Sequence, residues 1–161
     1  MSDVPQLIVG IGEFKIGKSP ASIRTNLGSC IGVCLYSSQV KAGGMLHCMF
    51  PYAGDNRNKP NFRDAKYADS GIHGMIAELK RAYGIDPREL KAKIFGGANM
   101  LKIITTNIGL MNEESARAVL KELHIPIVSF KTGGEKGYQI DFKLEDGSVL
   151  CRVFGEDSQE F

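Results

Sequence analysis

No stretch of the 161 residues approaches the roughly 18 consecutive apolar residues that a bilayer-spanning helix needs. The N-terminus, Met1 to Gln6, has no basic segment leading into an apolar signal core. The protein is therefore expected in the cytoplasm, with no membrane insertion. Charge of one sign is also missing: 20 Lys and Arg stand against 18 Asp and Glu, and a net charge of +2 is too small to argue for nucleic acid or an anionic surface as partner. Tryptophan is absent, which decides nothing. Cysteine is sparse. Cys30, Cys34, Cys48 and Cys151 are enough for two disulfides, but a reducing compartment and a domain large enough to be held by its own core both favour free thiols. Internal repeats and low-complexity segments are lacking too. With 43% hydrophobic and 24% charged residues, the composition excludes disordered, collagen and coiled-coil classes and fits a single domain over 1–161, with its core from about residue 7 to 154.

The apolar run from Gln6 to Glu13 is β-branched enough to predict a strand, with Gly12 marking a bend. Lys15 to Pro20 reads as a turn, and Ala21 to Asn26 as entry into a second strand. Ile31 to Tyr36 fits a strand or a short buried helix. Gly43 to Phe50, if a strand, puts Met45, His47 and Met49 on one face and Leu46, Cys48 and Phe50 on the other, so both faces are nearly apolar, as in a buried strand. Pro51 to Asp64 is a polar loop long enough to border a site. From Ala65 to Tyr83 apolar residues recur every three or four positions, predicting a helix capped by Asp64 or Asn61 and ended by Gly84. Gly71 and Gly74 weaken that helix by about 1 kcal/mol each relative to Ala, which implies close packing against its backbone. Lys91 to Phe95 predicts a strand, Met100 to Ile108 is ambiguous, and Asn112 before Glu113-Glu114 resembles the cap of a second helix closed by Pro126. Ile127 to Lys131, Tyr138 to Leu144 and Ser148 to Phe154 are strand candidates, the last two joined as a hairpin through Asp146-Gly147. The whole predicts an α+β class, a layered α/β sandwich with a mixed sheet and two main helices.

Cys30 follows Gly28-Ser29 and precedes an apolar run, where a turn meets a buried element. Small residues there let a carbonyl approach, and free backbone N–H groups can stabilise a thiolate or an oxyanion. A plain packing cysteine fits the same position. His47, held among apolar residues, is suited to take and return the thiol's proton, or is a core histidine satisfied by backbone. His73 and His124 read as surface or boundary residues. A zinc site from Cys30, Cys34, Cys48 and His47 matches no standard spacing, and in one strand Cys30 and Cys34 are about 13 Å apart at a rise of roughly 3.3 Å per residue. Gly96-Gly97-Ala98-Asn99 imitates a phosphate-binding turn but lacks the full pattern, and a tight structural turn fits better.

Thr25-Asn26-Leu27-Gly28-Ser29-Cys30-Ile31-Gly32-Val33-Cys34-Leu35-Tyr36, followed by Gly43-Gly44-Met45-Leu46-His47, resembles the chemoreceptor glutamine deamidases of bacterial chemotaxis, the CheD family. So do Lys66-Tyr67-Ala68-Asp69, Lys93 to Met100, Asn107-Ile108-Gly109, and Gly133-Gly134 with Gly137, so the likeness runs from about Leu7 to Phe154. Two departures stand out: Met111 precedes Asn112 where an arginine is expected, and Tyr138 follows Gly137 where an arginine is common. Both read as affecting peripheral contacts.

The resemblance implies a sandwich fold similar to deamidating toxin catalytic domains, with Cys30 as nucleophile, His47 as its partner and Thr25 as the third member of a triad. Gly28 and Ser29 would position substrate and oxyanion. No cofactor and no metal are implied. The implied reaction is hydrolysis of receptor glutamine side chains to glutamate through a Cys thioester, with glutamate methyl esters as a second substrate class. Implied partners are chemoreceptor cytoplasmic domains and a CheC-type phosphatase. The alternative is a docking module for receptor or phosphatase that needs no catalysis.

Overall fold

The computed structural model describes residues 4–102 and 105–161. In chain order the strands and helices are β1 Gln6–Ile8, β2 Glu13–Lys18, β3 Ser22–Leu27, β4 Ile31–Ser37, β5 Ala42–Cys48, α1 Ala68–Tyr83, β6 Lys91–Gly96, α2 Ile108–Glu122, β7 Ile127–Thr132, β8 Tyr138–Lys143, β9 Val149–Val153 and β10 Gln159–Glu160. Short 3₁₀ turns at Gly54–Asn58, Asp64–Lys66 and Pro87–Glu89 punctuate the connections. The strands form two five-stranded sheets, one in the order β1-β3-β8-β9-β10 and the other β2-β5-β4-β6-β7. Each is mixed: β1 runs parallel to β3 and β6 to β7, while the other pairs are antiparallel.

The second sheet is the middle layer, because successive side chains of a strand point to opposite faces and both faces here are covered. Ile31, Val33, Leu35, Leu46, Cys48 and Ile94 pack with Ile72, Met75 and Leu79 of α1 and Ala116 and Leu120 of α2. Cys34, Met45 and Phe95, from alternate positions, pack instead with Ile23, Leu27, Ile140, Phe142 and Val149 of the first sheet. Sheet, sheet and helices thus stack in three layers. This double burial explains why the β4 sequence shows no clear alternation, and why it is a strand. No helix among the described residues is long and apolar enough to cross a membrane.

The α+β layered architecture, its two main helices and the β8–β9 hairpin are as the sequence predicts, with the mixed pairing divided between two sheets. Several boundaries differ. Lys15 to Lys18 is strand rather than turn: β2 is a half-exposed edge strand, and Gly17 is where the Leu144 side chain of the facing sheet comes close. The chain turns at Ser19-Pro20 instead. α1 starts at Ala68, not Ala65, and has no side-chain cap. Tyr67 stays extended because it bridges Phe50 and stacks on Phe62, so Asp64 falls in the preceding 3₁₀ turn. Gly71 and Gly74 lie under Leu46 and beside Asp64 and Phe14, the close packing that their cost implied. α2 begins at Ile108 and is capped by Asn107, whose Oδ1 accepts from Leu110 N at 3.0 Å. Asn112 is therefore not a cap but a buried residue inside the helix. In the ambiguous stretch from Met100 to Ile108, Ile103 and Ile104 lie outside the described residues.

Candidate active site

Gly28, Ser29 and Cys30 are the crossing from β3 in the first sheet to β4 in the second. All three carbonyls are tied to the protein: Gly28 O accepts from Ala98 N at 3.0 Å, Cys30 O from Gly97 N at 2.9 Å, and Ser29 O from Asn112 Nδ2 at 3.2 Å. Across a trans peptide the N–H points away from the preceding C=O. Holding the Gly28 and Ser29 carbonyls inward therefore turns the amides of Ser29 and Cys30 outward, and among the described residues nothing accepts from them. The Gly96-Gly97 turn makes this possible. Gly96 has φ of 95°, and a Cβ there would lie 2.6 Å from Cys30 O, so only glycine lets the turn reach the Cys30 backbone.

His47 enters from β5. In the β4–β5 ladder it stands opposite Gly32, and Cys30 is two residues before Gly32, so Cys30 and His47 share the face turned toward the first sheet. Gly32, between Cys30 and Cys34 on that face, puts no side chain beside the imidazole. A Cβ there would press on Leu27 Cδ1 at 2.9 Å and Ile140 Cδ1 at 3.1 Å. Cys30 and His47 are not hydrogen-bonded to each other in this structure. Catalytic hydrogen bonds commonly close only once substrate is bound.

Thr25 and His47 are directly joined. Thr25 faces inward from β3 and its Oγ1 lies 2.8 Å from His47 Nδ1, with both residues buried. The same Oγ1 donates to Val9 O at 2.8 Å. A hydroxyl has one proton. Since that proton goes to Val9, the contact with the imidazole is completed by the proton on Nδ1, which leaves Nε2 as the nitrogen with the lone pair. Val9 O thereby fixes the histidine tautomer from two bonds away.

Electrostatically the pair rests uncharged. Burial lowers the His47 pKa to about 4, against a smaller opposing pull from Glu13, its cross-strand neighbour. Burial likewise raises the Cys30 thiol above its ordinary value. The arrangement is thus a neutral imidazole and a protonated thiol on one face of the sheet, chemistry that fits proton transfer during attack better than storage of a thiolate. Of the four free cysteines Cys30 alone is not fully buried. Cys34 and Cys48 sit deep in the core, with their thiols pushed up by burial. Among the described residues no group of three or more His, Cys, Asp or Glu could hold a metal ion.

Sequence reasoning missed Asn112. Its Nδ2 donates to Ser29 O and, at 3.0 Å, to Met49 O, just beyond the end of β5. Its Oδ1 is buried and has no hydrogen-bond partner among the described residues. At the root of the polar loop from Pro51, Ser115 Oγ, one turn along α2, donates to Pro51 O. Tyr138 is also buried, its hydroxyl donating to Gly133 O at 2.8 Å. Next to Ser29 lies a pocket of about 80 Å³, lined by Ala98, Met100, Leu101 and Ile108 among others. Met100, Leu101, Leu110 and Met111 leave this side of the molecule apolar and exposed. His73 and His124 are exposed, away from these contacts.

A family model described as CheD chemotactic sensory transduction matches residues 49–153. The chain is 37% identical over 153 residues to the chemoreceptor glutamine deamidase CheD of Thermotoga maritima, covering 94% of each chain. It is 41% identical over 154 residues to the probable chemoreceptor glutamine deamidase CheD of Caldanaerobacter subterraneus, covering 92% of this chain and 93% of that one. Among solved structures it is similar to the Bacillus licheniformis hypothetical protein YfiH, with a TM-score of 0.47 and 12% identity over 74% of this chain and 49% of that one.

Proposed function

This chain belongs to the CheD family, and from that premise we propose that it hydrolyses glutamine side chains of chemoreceptors to glutamate, with Cys30, His47 and Thr25 as its catalytic machinery. Cys30 Sγ attacks the amide carbon while His47 Nε2 takes the thiol proton. The oxyanion that forms is received by the outward-facing amides of Ser29 and Cys30. As the C–N bond breaks, the proton on Nε2 passes to the leaving nitrogen, and ammonia departs from a thioester. Water then gives a proton to Nε2 and adds to the thioester carbon. Collapse releases the glutamate carboxylate and returns the sulfur and its proton to Cys30. Thr25 keeps the second nitrogen protonated throughout, as the third member of a triad does.

The single observation that carries this reading is the chain from Val9 O through Thr25 Oγ1 to His47 Nδ1, because it fixes the tautomer that general-base chemistry needs. The exposed apolar residues around Ser29 suit a helical receptor surface that presents a glutamine on its aliphatic stem. The test is mass spectrometry of a chemoreceptor cytoplasmic fragment incubated with this protein or with Cys30→Ala. The expected result is a gain of glutamate only with the unmodified protein. Conversion by the Cys30→Ala protein would end the assignment of the nucleophile. Binding of the fragment by both proteins without any conversion would instead favour a docking module.

A further inference from the structure

We propose that Asn112 is the positioning residue that aims the oxyanion donor of Cys30, an inference that rests on the deamidase reading above. Ser29 C=O and Cys30 N–H belong to one peptide plane, so whatever holds the oxygen also sets the direction of the hydrogen. Among the described residues only Asn112 Nδ2 donates to that oxygen, and its other proton goes to Met49 O. Met49 is two residues beyond His47, so a single amide group ties the chain leaving the base to the chain entering the nucleophile. The amide is fully buried, and among the described residues Oδ1 has no hydrogen-bond partner. A residue kept for packing would have no reason to bring an unpaired oxygen inside, so the donor end is what the position requires.

The helix that carries Asn112 is held on both sides of that residue. One turn earlier, Gly109 rests on the Gly97 carbonyl, where a Cβ would come within 2.3 Å of the oxygen. One turn later, Ser115 Oγ holds Pro51 O. Asn112 therefore acts as a fixed strut. The oxyanion exists only after the sulfur has attacked, so a misaimed Cys30 N–H weakens the transition state and leaves substrate binding unchanged.

The test compares the wild type with Asn112→Ala and the near-isosteric Asn112→Asp, the second retained in case the first does not fold. Two rates are measured on folded protein: deamidation of a receptor fragment, as kcat and KM, and alkylation of Cys30 by iodoacetamide. Alkylation forms an S–C bond and expels iodide from a tetrahedral carbon, so no oxyanion develops. For Asn112→Ala the expected result is a kcat lower by about 100-fold with KM and alkylation rate unchanged. Asn112→Asp has one donor proton at most, so its kcat should fall as pH rises and that proton is lost, over a range where the wild type does not decline. The proposal is overturned if a folded variant keeps its kcat, or if alkylation slows in proportion to kcat, which would put Asn112 behind the thiol and imidazole instead. A wild-type protein that converts no glutamine would strike at the deamidase reading itself.

Discussion

Replacing Thr25 by valine keeps the shape of a buried side chain and removes one oxygen. That oxygen serves two partners, Val9 O at 2.8 Å and His47 Nδ1 at 2.8 Å, with the imidazole only 3% exposed, so water cannot readily replace it. In the variant, Nδ1–H would face a methyl group. The ring can avoid this by moving its proton to Nε2, which removes the lone pair that accepts the thiol proton in the proposed mechanism. The preference for the useful tautomer falls by the cost of an unsatisfied buried donor, about 1–3 kcal/mol, or about 5- to 150-fold in population. The rate of glutamine conversion should fall by that factor for Thr25→Val, while Thr25→Ser, which keeps the hydroxyl, stays near the wild type. The orphaned Val9 carbonyl should also lower the thermal midpoint, by about 2–4 °C for each kcal/mol lost in a domain of this size. Mass spectrometry of the receptor fragment reads the first effect and a circular-dichroism melt the second. A wild-type rate for Thr25→Val, or equal impairment of the serine and valine variants, would refute the tautomer argument.

Cys30→Ala and His47→Ala should each abolish conversion while leaving far-UV circular dichroism intact, since Cys30 is half-exposed and neither change breaks a strand. Gly96→Ala places a Cβ against Cys30 O in a backbone conformation that L residues avoid, and should cost at least about 2 kcal/mol of stability in urea unfolding. An unchanged midpoint would contradict the geometry. For pH, the unfolded His47 titrates near 6.5 and the folded one near 4. Between those values the unfolded chain binds a proton that the folded chain does not, so stability falls as pH drops through this window. From pH 7 to pH 5 His47 should contribute a loss of about 2 kcal/mol. Urea unfolding at both pH values should show that loss in the wild type and not in His47→Gln, and identical pH dependence in the two would refute it.

Much of this arrangement was legible from the chain itself. The alternation in Gly43 to Phe50 sorts His47 from Cys48 correctly, because both layers around β5 are apolar and the period of two survives. The spacing from Ala65 to Tyr83 likewise yields α1, with its start three residues early. Other parts were hidden for definite reasons. Asn112 followed by two glutamates imitates a helix start, while the true cap, Asn107, sits at the edge of an ambiguous segment. Glu113 instead pairs with Arg117 one turn on. Val9 acts through its carbonyl, a group every residue carries, so no side-chain pattern could mark it. Gly17 in β2 reads as part of a turn, and Gly32 in β4 carries no signal of its own. Their function is to make room, for Leu144 at Gly17 and for Leu27 and Ile140 at Gly32.

The proposed triad is not carried by one sheet. Cys30 and His47 ride on the middle layer, but the hydroxyl of Thr25 comes from β3 in the outer sheet, where Ile23, Thr25 and Leu27 are the inward residues and Thr25 pairs with Ile140. Sliding β3 by one position would present Arg24 or Asn26 to the imidazole and turn the threonine out to solvent. Enzymatic rate then becomes a vernier for the docking of two sheets. Mutations remote from Cys30 that let the outer layer creep by a fraction of a residue should extinguish turnover well before any spectroscopic sign of unfolding.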